Sequence, residues 1–395
     1  MKRSINVRRA DIMPEVSELV QRYRSRLVHS IREAGNVLRL PGMEIHLASA
    51  FGFCDGVQRA IEIAYAACSM FKGKRIWLIG EIIHNPEVNA RLDAQGLLHL
   101  PWNTDGKGYD HLTPDDIVII PAFGISVALR RFLEERKVQL VDSTCGNVIK
   151  VWQRVRSYAE RGITSIIHGK VRHEESMATA SHSCGEDGRG QFLVIFSEQE
   201  ADMLADYIRG KGDKKSFLEH FSGCCSEGFD PDLHLLNIGM ANQTTMLKDE
   251  TTRIQQLLRA AVTDRDGNDA RFHVFDTICG ATQDRQQALF DLLDKPLDTM
   301  FIIGGYNSSN TTHLAHISSR RLPTFFVKDA DCLLSLEQVH AFSLDERKEM
   351  LLPLPPEASH MQRVWQVGIT AGASCPANII EGVIRRLAEL RGSTL

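Results

Sequence analysis

The sequence predicts an α/β protein of three related lobes with mostly parallel sheets. Two observations lead to this prediction. An apolar run that leads, directly or through a short polar or glycine-rich cluster, into a helical pattern occurs nine times along the 395 residues. Three of these copies carry a cysteine at the junction, namely Cys54, Cys145 and Cys279. Alternating strands and helices imply parallel sheets with right-handed crossovers. Nine steps with three cysteine junctions correspond to three steps in each lobe.

At each cysteine junction, the helix that follows has one apolar face at the spacing of three and four residues. The apolar positions are Val57, Ala60, Ile61, Ala64 and Tyr65 in the first helix, Val148, Val151, Trp152, Val155 and Tyr158 in the second, and Ala281, Ala288, Leu289 and Leu292 in the third. A thiol at a strand end lies beside the unpaired N–H groups of the next helix. This position favours the thiolate, which is the form that binds metals. The pattern therefore predicts that the three cysteines meet at one metal centre.

A free cysteine is more often a small buried apolar residue, and this alternative holds for each of the three taken singly. Zinc usually requires four ligands, often in C-x-x-C pairs, which the sequence lacks. Three thiolates without a fourth suit a four-iron cluster whose last iron is open to substrate. The other cysteines, which lack the junction pattern, are Cys68, Cys184, Cys224, Cys225, Cys332 and Cys375.

Composition is that of an ordinary soluble protein, with 43% hydrophobic and 24% charged residues. A formal net charge of −4 argues against a nucleic-acid-binding protein, and no apolar stretch approaches the roughly 20 residues that span a membrane. Nine cysteines without a secretory signal indicate a reducing cytoplasm. Plastid import is the less favoured alternative, because Asp11, Glu15, Glu18 and Glu33 disagree with an acid-poor transit peptide.

The predicted domain organisation is a basic, helical N-terminal arm followed by the three lobes. The predicted boundaries are residues 1–43 for the arm, 44–144 for the first lobe, 145–278 for the second and 279–395 for the third. A stretch rich in glycine and charge, at about 183–232, is predicted to be a surface insertion in the second lobe. The sequence has neither a GxGxxG nor a P-loop motif, so it gives no support to a nucleotide-binding site.

Several predicted strands end in polar residues that can donate hydrogen bonds. These residues are His84, His173, Glu175, Thr244, Ser308, Ser309, Asn310 and Ser374. Imidazole, hydroxyl and carboxamide groups can bind a phosphate, and the Gly/Ser/Asn loops at helix N-termini add backbone N–H groups. Singly, NSSN and TAGAS can be helix N-caps and an HxE pair can be a surface pair. Because ligands gather at the carboxyl ends of parallel strands, the set together predicts a phosphate-binding site.

These motifs resemble the hydroxymethylbutenyl diphosphate reductase family, also called the LytB family, which performs the last step of the methylerythritol phosphate route to isoprenoids. The resemblance runs from about Glu44 to the C-terminus. It comprises, in order, FGFCDGV, EIIHNP, STC, HEES, ANQTTM, TICGATQDRQ, GGYNSSNT and GITAGAS. FGFC, IIHGK, NQTTMLK and the long insertion resemble the plant and cyanobacterial type of the family.

The resemblance implies three pseudo-threefold-related α/β lobes around a central [4Fe–4S] cluster, held by Cys54, Cys145 and Cys279, with its fourth iron open to substrate. It implies a diphosphate pocket formed by His84, His173, Ser308, Ser309, Asn310 and Ser374, and a proton source at Glu175 assisted by Thr244. The implied reaction is reductive dehydroxylation of 4-hydroxy-3-methylbut-2-enyl diphosphate to isopentenyl and dimethylallyl diphosphate. A separate ferredoxin or flavodoxin would supply the electrons.

The sequence departs from the family pattern at two positions. Phe123, in PAFG, replaces a phosphate-binding histidine of the shorter bacterial members, and Gly146 follows Cys145 where proline is common. Two alternatives stay open. The first is another three-lobed iron–sulfur enzyme, one that resembles quinolinate synthase. The NSSN, NQTTM and TAGAS motifs disfavour this alternative. The second is a non-catalytic metal or redox sensor, which would need neither a phosphate pocket nor an HxE acid.

Overall fold

The computed structural model describes residues 4–185, 187–275, 277–360 and 362–395. The strands are β1 Val37–Leu40, β2 Met43–Leu47, β3 Ile76–Ile79, β4 Leu98–Leu100, β5 Ile117–Ile120, β6 Gln139–Asp142, β7 Thr164–His168, β8 Phe192–Ile195, β9 Ile238–Asn242, β10 Phe272–His273, β11 Thr299–Ile303, β12 Thr324–Val327, β13 Gln338–Ser343, β14 Lys348–Pro353 and β15 Trp365–Ala371. The helices are α1 Met13–Gln21, α2 Arg26–Glu33, α3 Asp55–Met70, α4 Pro86–Asp93, α5 Val127–Glu135, α6 Gly146–Glu160, α7 Glu174–Ser183, α8 Glu198–Ile208, α9 Lys214–His220, α10 Pro231–His234, α11 Lys248–Asp266, α12 Gly280–Leu293, α13 Ser309–Ser319 and α14 Ala377–Leu390. Each of the nine predicted junctions is a strand followed by a helix, which confirms the α/β class.

The chain divides into two compact units by its internal contacts. Unit 1 comprises Phe71–Ile82 and Leu97–Cys279 together with the start of the chain up to Val7. Unit 2 comprises Arg8–Met70, Ile83–Gly96 and Gly280–Leu395. Each unit has its own sheets and its own buried core.

Unit 1 contains two four-stranded parallel sheets of the same topology. Their orders are β4-β3-β5-β6 and β8-β7-β9-β10, and every neighbouring pair is parallel. Numbered as the chain forms them, the strands of each sheet follow the order 2-1-3-4. In both sheets the last strand is the one that leads to a predicted cysteine ligand, Cys145 or Cys279.

Unit 2 contains a five-stranded sheet that repeats this topology with one addition. Its order is β1-β2-β15-β11-β12, and the four strands β12, β11, β15 and β2 are mutually parallel. The last of them, β2, comes from the N-terminal part of the chain and leads to Cys54. The interior strand β11 is buried along its whole length, as expected for a parallel sheet covered on both faces. A separate antiparallel hairpin joins β13 and β14.

One strand departs from the predicted lobe ranges. The range 44–144 places residues 44–47 in the first lobe, but the strand to which they belong, β2, pairs with Trp365–Ala371 in the sheet of the C-terminal strands. Strand β1 then pairs with it in antiparallel orientation through the turn at Gly42, so the N-terminal arm ends in a strand. Apolar periodicity identifies a strand, but it does not identify which distant strand it pairs with.

The prediction that residues 183–232 form a surface insertion is wrong for the part of this segment that packs in the second sheet. Within 183–232, strand β8 forms the edge of the second sheet, and helices α8 and α9 follow it. Leu193, Leu204, Phe217 and Phe221 are all buried in the core of this sheet. The apolar run of β8 lies between two stretches rich in glycine and charge, and their composition obscured it.

The N-terminal arm, predicted to be helical, contains two helices, α1 and α2, with a break between them. Ser25 begins the second helix, because its side chain accepts a hydrogen bond from the Val28 N–H. Tyr23, in the break, is buried and its hydroxyl lies 2.7 Å from that of Tyr65. Among the described helices, none combines the length and the apolar character that crossing a membrane requires.

Candidate functional site

The predicted site residues follow the first and third strands of each sheet, between which the order of the strands reverses. In a 2-1-3-4 order, the connections from the first and third strands leave toward opposite sides, and ligands bind in the crevice at this point. The segments after these strands carry His84 (after β3), His173 and Glu175 (after β7), Thr244 (after β9), Ser308, Ser309 and Asn310 (after β11) and Ser374 (after β15). The topology therefore puts each predicted polar residue where an α/β sheet binds its ligand.

In unit 1, Glu175 is paired with Thr244. The Thr244 N–H donates to Glu175 Oε1 at 2.6 Å, and the Thr244 hydroxyl donates to Oε2 at 3.1 Å. The Glu175 residue is only 2% exposed, so both hydrogen bonds are shielded from water. The Thr244 carbonyl in turn accepts the Cys279 N–H at 3.1 Å. A carboxyl group, a hydroxyl group and a predicted cysteine ligand are thus joined through a single residue.

Gln243, which is not among the residues predicted from the sequence, holds this arrangement in place. Its Oε1 accepts the Lys170 N–H at 3.0 Å and the Ser176 hydroxyl at 3.2 Å, and its Nε2 donates to Thr245 at 2.8 Å. Gln243 is fully buried and ties the loop after β7 to the loop after β9. Its place in the NQTTM motif, directly before Thr244, is the signal that could have identified it.

His168, at the end of β7, has a structural role. Its Nε2 donates to the Phe196 carbonyl at 3.2 Å, and its Nδ1 accepts from the Thr251 hydroxyl at 2.8 Å. Burial lowers its pKa to about 4, so the imidazole is neutral at pH 7. The His168 carbonyl accepts the Gln243 N–H at 2.9 Å, which couples this histidine to the loop that carries Thr244.

His173 begins helix α7 directly before the Glu175 turn. Its Nδ1 accepts the Glu175 N–H at 3.2 Å. The ring of Phe123 meets it edge-on, with the centroids 5.9 Å apart. Phe123 therefore occupies space beside a predicted phosphate-binding histidine, where its apolar ring packs but offers no hydrogen bond.

Two of the predicted cysteine ligands lie close together in unit 1. Cys145 is the N-cap residue of α6, and its side chain makes no capping hydrogen bond. Asn147, two residues later, reaches across and donates from Nδ2 to Cys279 Sγ at 3.0 Å. Asn147 is also not among the residues predicted from the sequence, although it stands in the CGN motif at the start of the helix.

Cys54 lies in unit 2, at the N-terminus of α3. Its N–H donates to the Ala373 carbonyl at 3.3 Å, and its Sγ accepts the Val57 N–H at 3.5 Å. Arg285, from the TICGATQDRQ motif, donates to the Gly52 carbonyl and holds the segment that precedes the cysteine. Because Ala373 is next to Ser374, Cys54 is adjacent to the predicted diphosphate-binding residues of this unit.

The three predicted ligands fit an iron–sulfur cluster better than the other cysteines do. Each of the three is partly exposed and stands at a helix N-terminus, and a hydrogen bond reaches the sulfur of both Cys54 and Cys279. Such hydrogen bonds stabilise thiolate ligands and tune cluster potentials. By contrast, burial raises the pKa of Cys68 to about 12 and also raises the pKa of Cys184 and Cys375, so these remain thiols.

His84, Ser308 and Ser374 lie together in unit 2. The Ser374 hydroxyl donates to the His84 carbonyl at 3.1 Å and lies 3.4 Å from Ser308 Oγ. Asn307 Nδ2 is 3.3 Å from His84 Nδ1, so Asn307 is a further site residue beyond those predicted from the sequence. A Cβ atom on Gly305 would lie 2.6 Å from the His84 carbonyl oxygen, which explains the glycine in GGYNSSN.

Two polar atoms at the start of α13 are buried and lack a partner among the described residues. These atoms are Ser309 Oγ and Asn310 Nδ2, whereas Asn310 Oδ1 accepts the Ala373 N–H at 3.0 Å. Buried polar atoms in proteins almost always have a partner, so both atoms indicate a ligand. They stand beside the unpaired backbone N–H groups of a helix N-terminus, which bind anions.

The structure therefore groups the predicted residues as two sets. Unit 2 carries Cys54, His84, Ser308, Ser309, Asn310 and Ser374, and unit 1 carries Cys145, His173, Glu175, Thr244 and Cys279. The set in unit 2 is suited to binding a phosphate, and the set in unit 1 is suited to proton transfer beside two cysteines.

Comparisons with known proteins agree with these features. The family model described as LytB protein matches residues 45–388. A 4-hydroxy-3-methylbut-2-enyl diphosphate reductase from Synechococcus sp. strain RCC307 is 45% identical over 377 residues, covering 94% of this chain and 90% of its own length. A reductase of the same name from Gloeobacter violaceus is 44% identical, covering 95% of this chain and 89% of its own length. These relatives confirm the cyanobacterial type.

Two solved structures resemble this fold. The E-1-hydroxy-2-methyl-but-2-enyl-4-diphosphate reductase from Plasmodium falciparum superposes with a TM-score of 0.64 at 21% identity, covering 89% of this chain and 90% of that chain. A structure of (E)-4-hydroxy-3-methyl-but-2-enyl diphosphate reductase, described as the terminal enzyme of the non-mevalonate pathway, superposes with a TM-score of 0.52 at 26% identity, covering 87% of this chain and 99% of that chain. On the family match and the identity to its relatives, the chain belongs to the LytB protein family.

Proposed function

We propose that this chain reduces 4-hydroxy-3-methylbut-2-enyl diphosphate to isopentenyl and dimethylallyl diphosphate, the terminal step of the methylerythritol phosphate pathway. The C–O bond of the allylic alcohol breaks and the oxygen leaves as water after taking up one proton. Two electrons and a second proton go to the carbon skeleton, which balances the reaction. The observation that carries the proposal is the buried Glu175–Thr244 pair, joined through the Thr244 carbonyl to Cys279.

The diphosphate is proposed to bind to His84, His173, Ser308, Ser309, Asn310 and Ser374. The buried Ser309 Oγ and Asn310 Nδ2 support this assignment, because a phosphate oxygen would satisfy both donors. The N-terminus of α13 adds backbone N–H groups and a positive dipole end. Neutral donors and imidazoles bind the anion without a large excess of fixed positive charge.

The cofactor is proposed to be one [4Fe–4S] cluster on Cys54, Cys145 and Cys279. When bound, such a cluster supplies electrons one at a time and an open, Lewis-acidic iron for the substrate. The chain supports it with donors to sulfur, since Asn147 reaches Cys279 and the Val57 N–H reaches Cys54.

Glu175 is proposed to hold and deliver the proton that lets the hydroxyl oxygen leave as water. A general acid must be positioned before it transfers its proton, and the two hydrogen bonds from Thr244 fix the orientation of the carboxyl group. Burial keeps bulk water from competing for that proton. Gln243 holds the Thr244 loop through the Lys170 N–H and the Ser176 hydroxyl.

The electrons are proposed to come from a separate ferredoxin or flavodoxin, because the reaction consumes two electrons and the sequence has no motif for a nicotinamide or flavin dinucleotide. The protein is proposed to act in a reducing cytoplasm, where thiols remain available as ligands.

An anaerobic assay with reduced methyl viologen tests the proposed function. The expected products are isopentenyl and dimethylallyl diphosphate, identified by mass spectrometry and chromatography. A protein that binds the diphosphate but never turns it over would instead be a sensor. A protein that neither binds nor reduces the diphosphate would contradict the proposal and favour a different iron–sulfur enzyme.

A further inference from the structure

The N-terminal arm forms one wall of a groove on unit 2, with a volume of ≈ 730 Å³. The break between α1 and α2 and the α2 helix itself contribute Arg24, Arg26, His29 and Arg32. The opposite wall includes Phe51 and Phe53, from the segment that leads to Cys54. A groove with cationic side chains on one wall and aromatic rings on the other has the composition of a protein-binding surface.

The positive charge of the groove is not neutralised locally. Arg24 and Arg26 are exposed and form no ion pair with any residue in the described part of the chain, and the carbon Cζ of Arg32 lies 5.0 Å above the Phe51 ring. Nearby carboxylates already have partners: Glu33 lies 3.4 Å from His29, and Glu381 lies 2.7 Å from Arg385. Glu62, which accepts a hydrogen bond from Gln58 in the groove wall, lies 3.0 Å from Arg8. The lining residues include no carboxylate.

The groove is adjacent to a proposed cluster ligand. Phe53 directly precedes Cys54, and consecutive Cα atoms are about 3.8 Å apart. Tyr23 packs against Phe53 with ring centroids 5.6 Å apart, and the Tyr23 carbonyl accepts the Asn378 N–H at 3.2 Å. The arm, the aromatic wall and the loop of Cys54 therefore form one packed region of unit 2.

The arm lies outside the part of the chain that the family model describes, which begins at residue 45. Helices α1 and α2 both end before that position. The basic wall of the groove is therefore an addition to the part of the chain that the family model describes, and it stands next to Cys54, a proposed cluster ligand.

We propose that this groove is the docking site of a small acidic one-electron carrier protein. The inference rests on the proposed function, since the reduction requires electrons delivered singly from outside the chain. A positive patch steers an acidic partner and fixes its orientation, and the aromatic side chains supply contact area. A nucleic acid is disfavoured, because the chain as a whole carries a net charge of −4.

A pair of charge-reversal variants tests this proposal. The test variant is Arg24→Glu with Arg26→Glu, and the control is Lys211→Glu with Lys215→Glu, two exposed lysines of unit 1. Both variants change the net charge equally, so they separate local docking from overall charge. An oxidised acidic [2Fe–2S] ferredoxin is titrated into each holoprotein by calorimetry, at low ionic strength and at about 0.15 M, where charges are screened beyond about 8 Å.

The expected result is a Kd for ferredoxin at least about tenfold weaker in the arginine variant, and less dependent on salt, with the lysine control within about threefold of the parent. Ferredoxin-driven turnover should fall in parallel, while viologen-driven turnover of the arginine variant stays within about twofold of the parent. An unchanged Kd in the arginine variant, or an equal loss in both variants, would overturn the proposal. Tighter binding of a short DNA duplex than of ferredoxin would also overturn it. Absence of viologen-driven turnover in the parent would instead refute the proposed function, because ferredoxin binding is measured without turnover.

Discussion

Replacing Glu175 by glutamine removes the proposed proton source and leaves its surroundings nearly unchanged. The glutamine carbonyl can still accept the Thr244 N–H, which lies 2.6 Å from Glu175 Oε1, and its NH₂ group can donate to the Thr244 hydroxyl oxygen, 3.1 Å from Oε2. The Thr244 carbonyl keeps its hydrogen bond from Cys279. Folding, cluster content and substrate binding should therefore survive, and the transferable proton alone is lost.

The expected loss follows from what a general acid contributes. Such a group usually accelerates a reaction by about a hundredfold to ten-thousandfold, which corresponds to about 3–5 kcal/mol of barrier. Glu175 is only 2% exposed, so bulk water has little access to replace the missing acid. We expect kcat to fall within this range in Glu175→Gln, with the Kd for substrate within about threefold of the parent.

The assay is viologen-driven turnover under anaerobic conditions, with iron analysis and a substrate titration on the same samples. The control is Glu227→Gln, which removes an exposed carboxylate of unit 1 and should keep kcat within about threefold. If Glu175→Gln retained a rate within about threefold of the parent, the assignment of Glu175 as the proton source would be refuted. An equal loss in both variants would also refute it, because a general effect of charge would then explain the data.

The remaining predictions concern the ligands, the pocket and the pH dependence of stability. Cys145→Ser should lose the cluster and its iron, whereas Cys68→Ser should keep both, because the Cys68 thiol is buried and stays protonated. Full iron content in Cys145→Ser would contradict the assignment of three cysteine ligands. Phe123→His should change the substrate Kd by less than about tenfold, because the new imidazole must be desolvated before it can bind a phosphate that already has hydrogen-bond donors. Phe123→Ala should bind substrate more weakly, because it loses the packing on His173. A gain in affinity of more than about tenfold in Phe123→His would show that the pocket lacks donors. His168 has a pKa of about 4 in the folded protein and about 6.5 in the unfolded chain, so between these pH values the unfolded chain binds more protons. The folded state therefore loses stability as the pH falls from about 6.5 to about 4. We therefore expect the free energy of unfolding, measured with urea, to fall by about 2 kcal/mol more between pH 7 and pH 5 in the parent than in His168→Gln. An equal fall in both proteins would contradict the low pKa of His168.

The sequence predicts the strands that lead to the site more fully than it predicts the sheets. All nine junctions could be recognised, because an apolar run followed by an amphipathic helix is a local pattern. The pairing of Met43–Leu47 with Trp365–Ala371 could not, because the two strands are more than 300 residues apart and their contact is made by backbone hydrogen bonds. The buried strand Phe192–Ile195 was hidden for a different reason, since the composition of its flanks resembles a surface loop.

In the candidate site too, residues within local motifs could be predicted, whereas residues whose partners are distant in the sequence could not. Glu175, Thr244 and the serines of NSSN stand in motifs and could be selected from the sequence. Asn147 and Asn307 act on partners 132 and 223 residues away, Cys279 and His84, and only the folded chain brings these side chains together. Residues that support a site from a distant element leave little local signal.

Mössbauer spectroscopy of the iron-57-labelled protein, with and without substrate, tests the central claim most directly. That claim is that three cysteine thiolates hold one four-iron cluster whose remaining iron serves the substrate. We expect about four irons per chain, with the signal of one iron changed by the diphosphate substrate and the other three nearly unchanged. Two irons per chain, or four irons whose signals do not respond to saturating substrate, would contradict the account.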